Sequence, residues 1–209
     1  MRGKKVKSGD IIQIPLPKYG GFTYAQYIDL IKLNSQSKYP SLMIFFNIVS
    51  MKPLSSKELL LDSLDLILCP HLVGGVQPVI NRGEWTIVDN NLISDKKYSV
   101  PEYKFSSPSS MIEDDVTAQW FCVSNCDILT KRLVAYSQVR HLETLGAVGA
   151  ALISTKLAMA FIKEKGANIK DYFELEDFYE KVFYWQVLNI PAYYKQSKEM
   201  QGKAILAQP

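Results

Sequence analysis

Residues 9 to 30 carry two strand-like runs separated by a break. Gly9-Asp10 is turn chemistry, and the β-branched run Ile11, Ile12 and Ile14 behind it suits a pleated, half-buried surface. Pro17 and Gly20-Gly21 interrupt that run, and the aromatic-rich stretch Phe22-Thr23-Tyr24-Ala25-Gln26-Tyr27 follows at once. Two such runs split by a glycine-containing turn predict a β-hairpin. The rest of the chain is expected to build onto it.

The next segments supply further strands. After a polar, turn-like stretch over 34–38, Leu42-Met43-Ile44-Phe45-Phe46-Asn47-Ile48-Val49 is apolar almost throughout. That predicts a strand covered on both faces, as in the middle of a sheet. Ser55-Ser56-Lys57-Glu58 reads as a capping box with Ser55 as N-cap, opening a short helix through Leu59, Leu60 and Leu61. Leu64-Asp65-Leu66-Ile67-Leu68 is a further strand candidate, closed by Cys69-Pro70. Gly83 leads into another, in which Trp85 and Ile87 alternate against Thr86 and Val88. Residues 90 to 110 are rich in turn formers, and Ser106-Ser107-Pro108-Ser109-Ser110 is the best candidate boundary. One more strand, Gln119-Trp120-Phe121-Cys122-Val123, follows the acidic run Glu113-Asp114-Asp115.

From about residue 137 the apolar period lengthens from that of a strand to that of a helix. Leu145, Val148, Leu152, Thr155 or Lys156, and Met159 fall on one helical repeat, and Gly146, Gly149, Ala150 and Ala151 beside them allow close approach of a neighbour. Lys163, Lys165 and Gly166 are an ordinary C-terminal signal. A second helix is predicted from about residue 171 to 188, with Leu175, Phe178 or Tyr179, Val182 and Trp185 inward and Glu176, Asp177 and Glu180 outward. The tail from Tyr193 is polar and expected to be mobile at its tip. The expectation is an α+β protein: an antiparallel, partly barrel-like sheet in the N-terminal half, with helices packed on it from the C-terminal half. Residues 1–107 would form the β-rich core and 111–209 a strand and two helices packed on it as one continuous unit.

Charge and cysteine usage narrow the function. The net charge of +3 argues against a dedicated nucleic-acid binder, although Arg2, Lys4, Lys5 and Lys7 crowd one end. Asp171, Glu174, Glu176, Asp177 and Glu180 crowd another segment. Cys69, Cys122 and Cys126 make an odd set that suits a reducing compartment, and no signal peptide or membrane span is apparent. A cytoplasmic location is expected.

The residues give no catalytic signature. No dinucleotide or phosphate-binding glycine loop, nucleophile elbow or HExxH occurs, and Gly146-Ala147-Val148-Gly149 lies within the predicted helix and lacks a third glycine at the needed spacing. Cys69, His71, Cys122 and Cys126 could supply a tetrahedral zinc set, but their spacing is unusual for one and buried core cysteines are commoner. His141-Leu142-Glu143 has the H-x-E of zinc deaminases without the cysteine pair that completes it. No catalytic, metal or cofactor residue is assigned. Phe22, Tyr24, Tyr27, Phe45 and Phe46 could stack nucleic-acid bases, but aromatics on sheet faces are more often core.

Taken in order, several stretches resemble the immunity protein 26 family of bacterial polymorphic-toxin systems. They are Gly9-Asp10-Ile11-Ile12-Gln13-Ile14-Pro15-Leu16, Phe22-Thr23-Tyr24-Ala25-Gln26-Tyr27, Ile44-Phe45-Phe46-Asn47-Ile48, Pro53-Leu54-Ser55-Ser56-Lys57-Glu58-Leu59-Leu60, Arg82-Gly83-Glu84-Trp85-Thr86-Ile87 and Val100-Pro101-Glu102-Tyr103-Lys104. The resemblance covers residues 4 to 105 and loosens beyond them; Asp89-Asn90-Asn91 stands where the family shows a glycine. It implies a predominantly β, non-enzymatic protein that binds and silences a cognate toxin C-terminal domain. It brings no site residues. From charge alone, Glu113, Asp114, Asp115, Glu176, Asp177 and Glu180 are the candidate partner-binding rim, facing a basic toxin surface. The alternative is a small-barrel nucleic-acid or ribonuclease module like the growth-inhibitor toxins related to PemK. That reading asks for a catalytic Arg or acid at the end of the first hairpin, where only Lys18 is charged between Leu16 and Phe22.

Overall fold

The structure, a computed structural model, describes residues 4–33, 38–39, 41–55, 58–59, 64–90, 100–108 and 117–205. The opening hairpin forms as its residues require. Strands β1 (Asp10–Pro15) and β2 (Phe22–Asp29) pair antiparallel, with Ile12 opposite Ala25 and Ile14 opposite Thr23. Gly20 and Gly21 hold positive φ in the connecting turn, and a Cβ on Gly21 would meet the Ser50 carbonyl oxygen at 2.6 Å. Only glycine fits there. At the other end, Gly9 N–H donates to the Tyr27 carbonyl at 2.9 Å. The buried Asp10 carboxylate accepts from Lys7 N–H at 2.8 Å and from the Asn90 side chain at 2.7 Å. The Gly9-Asp10 signature is thus a clasp between strands.

A short helix, α1 (Leu30–Leu33), follows β2, and β3 (Ser41–Phe45) returns alongside it, buried at every position. Next come β4 (His71–Gly74), α2 (Val76–Asn81) and β5 (Thr86–Asn90). A second sheet joins β6 (Tyr103–Ser107), β7 (Gln119–Val123) and β8 (Arg132–Val134). After α3 (Tyr136–Val139), the two-residue β9 (Val148–Gly149) leads into α4 (Ala150–Glu164), and α5 (Phe178–Asn189) is the last α-helix among the described residues. The larger sheet runs β5-β1-β2-β3-β4-β9, antiparallel except for the β4–β9 pair, and stays open. The architecture is α+β, with the helices of the C-terminal half packed on the sheet, as its periodicities require. No helix among the described residues is long and apolar enough to cross a membrane.

Alternation along β1, β2 and β3 turns side chains to the two faces of the larger sheet. Ile12, Ile14, Ala25, Met43, Phe45 and Val73 face α4 and α5, meeting Ile153, Leu157, Phe161, Phe183 and Val187. Ile11, Tyr24, Ile44 and Phe46 face the opposite way, toward Leu59 and Leu66. Burying a side chain of this size contributes about 1.5–3 kcal/mol, so the first face is the main source of stability.

Several expected boundaries move. Leu64 to Leu68 is no strand: only Leu66 bridges, to Phe46, because β3 ends at Phe45 and the next strand begins at His71. The expected helical repeat from residue 145 starts at Ala150 instead, with Gly149 as N-cap, because residues 148–149 pair with Val73-Gly74 as a parallel strand. The helix expected from residue 171 starts at Phe178. Leu175 adopts φ 57°, a left-handed conformation that breaks any helix, and Asp177 accepts from Tyr179 and Glu180 N–H as the N-cap. Tyr103 to Ser107, placed in a turn-rich loop by composition, is strand β6, whose partner β7 lies across the expected boundary. Ser55 does bond Glu58 as a capping box requires, at 2.8 Å from its N–H, while Leu60 and Leu61 lie outside the described residues. The turn expected over 34–38 also falls outside them, apart from Lys38.

Candidate functional site

Two regions concentrate features that packing alone does not explain. The first is the outer face of α5. Phe178, Lys181, Trp185 and Leu188 follow a helical spacing and all point to solvent, with Phe178 53 % and Trp185 38 % exposed. Tyr179 is exposed beside them, its ring edge-on to Phe178 with centroids 5.5 Å apart. The buried face of α5 is Phe183, Gln186 and Val187. Trp185 was expected inward; starting the helix at Phe178 leaves the Phe183 line to fill the core and turns Trp185 out.

Lys163 of α4 donates to the Val187 carbonyl at 2.5 Å and the Leu188 carbonyl at 3.2 Å. A cation at those unsatisfied carbonyls favours the helix end. Burial pushes the Lys163 ammonium below its ordinary pKa. Past that end, Tyr136, Arg140, Asn189 and Met200 line a hollow of about 360 Å³, with Trp185 on its edge.

The approach to α5 is acidic. Between residues 171 and 180 stand Asp171, Glu174, Glu176, Asp177 and Glu180 with no basic residue among them. Glu174 and Glu176 are exposed and form no ion pair with a described residue. Of the expected rim, Glu176 is therefore free to meet a partner. Asp177 is committed to capping α5, and Glu180 is half-buried with Lys18 3.9 Å away. Glu113, Asp114 and Asp115 lie outside the described residues.

The second region lies under α5. His71 at the start of β4, Glu143 in the segment before β9, and Lys156 on α4 meet in a buried triangle. Lys156 Nζ is 2.7 Å from Glu143 Oε2 and 3.0 Å from His71 Nε2, and His71 Nε2 is 3.1 Å from Glu143 Oε2. His71 Nδ1 lies 2.5 Å from the Cys69 carbonyl oxygen. A carbonyl only accepts, so Nδ1 carries a proton and donates it to Cys69. Burial alone would raise the Glu143 carboxyl, but the charges and hydrogen bonds of His71 and Lys156 outweigh it and hold the group well below the usual carboxylate range. Burial pushes the neighbouring Cys69 thiol and Tyr103 phenol well up.

This triangle floors a cavity of about 330 Å³, walled by Leu72, Leu145, Val148, Leu152, Val182 and Phe183, with Tyr179 from the exposed face also lining it. A second chamber of about 30 Å³ shares Glu143, Lys156 and Gln186 with the first. His141 borders that chamber, donating from Nε2 to the Lys203 carbonyl at 2.7 Å, and its buried Nδ1 has no partner among the described residues. Burial shifts its pKa below the ordinary histidine value.

No spacing rule reveals the triangle, since its members sit on three separated segments. The one signal was Lys156, the sole charge in the apolar run from Thr144 to Phe161. The cysteines weighed as zinc ligands are free, and no group of three or more His, Cys, Asp or Glu among the described residues could hold a metal. His71 is committed to Glu143 and Lys156. The glycines at 146 and 149 lie before α4 rather than inside it, contrary to the helical placement expected for them. Tyr24, Phe45 and Phe46 are core side chains. No family model, no curated protein and no solved structure matches the chain.

Proposed function

We propose that the protein is an immunity protein, a non-enzymatic inhibitor that binds a cognate toxin domain stoichiometrically in the cytoplasm. The observation that carries the reading is the outer face of α5: a helical stripe of exposed aromatics, Phe178, Tyr179 and Trp185, beside the exposed carboxylates Glu174 and Glu176, which form no ion pair among the described residues. Binding energy in protein interfaces concentrates in a few aromatic anchors, and charges around them raise the association rate and select the partner. A toxin that handles nucleic acid or anionic substrates carries a basic surface, and the carboxylates complement it. The resemblance of residues 4 to 105 to immunity proteins adds the biological setting. The ribonuclease alternative would need exposed stacking aromatics on the sheet, and of the five candidates Tyr24, Phe45 and Phe46 are fully buried and Phe22 and Tyr27 partly so.

Co-expression of the chain with the toxic domain encoded beside it tests the proposal. Growth should be rescued and a complex should co-purify. Cell death with no complex would refute it.

A further inference from the structure

We propose that β8 is a self-association edge, on which a second copy of this chain pairs antiparallel about Leu133 and joins two three-stranded sheets into one. The second sheet runs β6-β7-β8, and its two edges differ. The β6 edge is closed: Lys104 N–H donates to the Glu143 carbonyl and Leu145 N–H to the Lys104 carbonyl, both at 2.8 Å. On β8 the ladder to β7 is the only backbone pairing among the described residues. An open row of N–H and C=O groups is a template for another strand. The outermost strand of the larger sheet, β5, carries no exposed large apolar side chain, whereas Leu133 on β8 is 67 % exposed and Leu129 just before it 85 %.

On one face of this sheet an apolar row is cut short. Phe105 stands opposite Phe121 and Phe121 opposite Leu133, so three apolar side chains cross the strands in line and stop at the open edge. The Phe105 and Phe121 ring centroids are 6.2 Å apart, and both rings are partly exposed. The opposite face is filled, with Trp120 and Cys122 against Val139 and Leu142. Self-pairing completes the exposed row. With Leu133 opposite Leu133 of the second copy, Arg132 falls opposite Val134 and Lys131 opposite Ala135, because antiparallel partners step in opposite directions. No two like charges meet. Lys131 and its symmetry mate stand four residues apart along the seam, roughly 14 Å, beyond the screening length of about 8 Å at physiological salt. Arg132 is already neutralised by the Glu102 carboxylate at 3.0 Å. A two-fold axis through Leu133 makes the contact isologous, so pairing ends at the dimer.

A strand this short buries little area, so the dimer is weak and reversible. Sedimentation velocity of the full chain from about 10 μM to about 1 mM suits such a contact, smaller than the roughly 1,200 Å² of a stable interface. The weight-average mass is expected to rise with concentration from monomer toward dimer and no further. Leu133→Lys sets two ammonium groups against each other at the axis and should weaken dimerisation by about tenfold or more. Leu133 is exposed in the single chain, so the variant keeps its fold. Leu133→Cys tests the register. Directly opposed strand residues are close enough for a disulfide, so mild oxidation should give a covalent dimer. Ser107→Cys, exposed on the far strand of the same sheet, should stay monomeric under the same treatment. The native cysteines are buried and take no part. A constant monomer mass, growth beyond the dimer, dimerisation of Leu133→Lys equal to wild type, or equal cross-linking of the two cysteine variants would each overturn the proposal.

Discussion

Glu143 is the residue on which the interior is most finely balanced. It is a buried carboxylate whose ionised form is favoured by Lys156 and His71. Replacing it by Gln removes the anion and strands the Lys156 ammonium, a change that costs about 3–5 kcal/mol for a buried pair. The sign of the pH dependence follows from the direction of the shift. A carboxyl held below its ordinary value contributes stability that is complete above about pH 4.3 and is lost as the pH falls below it. Urea unfolding of wild type and Glu143→Gln should differ widely at pH 7 and converge on going from pH 4 toward pH 2. A gap that stays constant across that range would contradict the assignment. None of this could be read from the sequence, where Lys156 registers only as a break in an apolar run. A charge inside a buried helix announces a partner, but the partner's position is set by tertiary packing of β4 and the 141–145 segment.

At the scale of elements, the strands were more legible than the helix ends. The hairpin of β1 and β2 follows from a β-branched run and an aromatic-rich run split by Gly20-Gly21, and the almost wholly apolar run through β3 predicts its burial on both faces. The start of α5 was misplaced because the acidic residues ahead of it look like a helix face. In the structure Asp177 instead turns its carboxylate onto the N–H groups of Tyr179 and Glu180, at 2.8 and 3.3 Å. Asp177→Ala should lower stability by about 1 kcal/mol, the usual value of an N-cap. Glu176→Ala, at an exposed position without an ion-pair partner among the described residues, should leave it unchanged. Chemical denaturation of the two variants side by side checks the assignment, and equal losses would refute it. Strand β6 was missed for a related reason: Ser106 and Ser107 mimic a linker in composition, while pairing with β7 overrides that local preference.

Across the whole molecule, the C-terminal segment acts as a strap. Tyr193 and Tyr194 N–H donate to the carbonyls of Ile67 and Leu66, both at 3.1 Å. Glu102 N–H donates to the Gly202 carbonyl at 2.8 Å, Ala204 N–H to the Glu102 carboxylate at 2.7 Å, and Ile205 N–H to the Gln138 carbonyl at 2.9 Å. The polar composition predicted a mobile tip; residues 193–205 are pinned to three separate segments, and 206–209 lie outside the described residues. Deleting residues 193–209 exposes Ile67, Leu66 and the edge of the second sheet, and should lower the melting temperature by roughly 10 °C or more, since each kcal/mol shifts a chain of this size by about 2–4 °C. Calorimetry on the truncated chain measures it.

The strap and the sheet together hold α5 with one face in the core and the other in solvent, and the function proposed for the protein rests on that outer face. The most direct test is a calorimetric titration of the cognate toxin domain with wild type and with the double variant Phe178→Ala/Trp185→Ala. Both side chains are exposed, so the variant should keep the wild-type fold. The account predicts one-to-one binding by wild type and a loss of about a hundredfold or more in affinity in the variant, as expected when two aromatic anchors are removed. Equal affinity of the two proteins would contradict it.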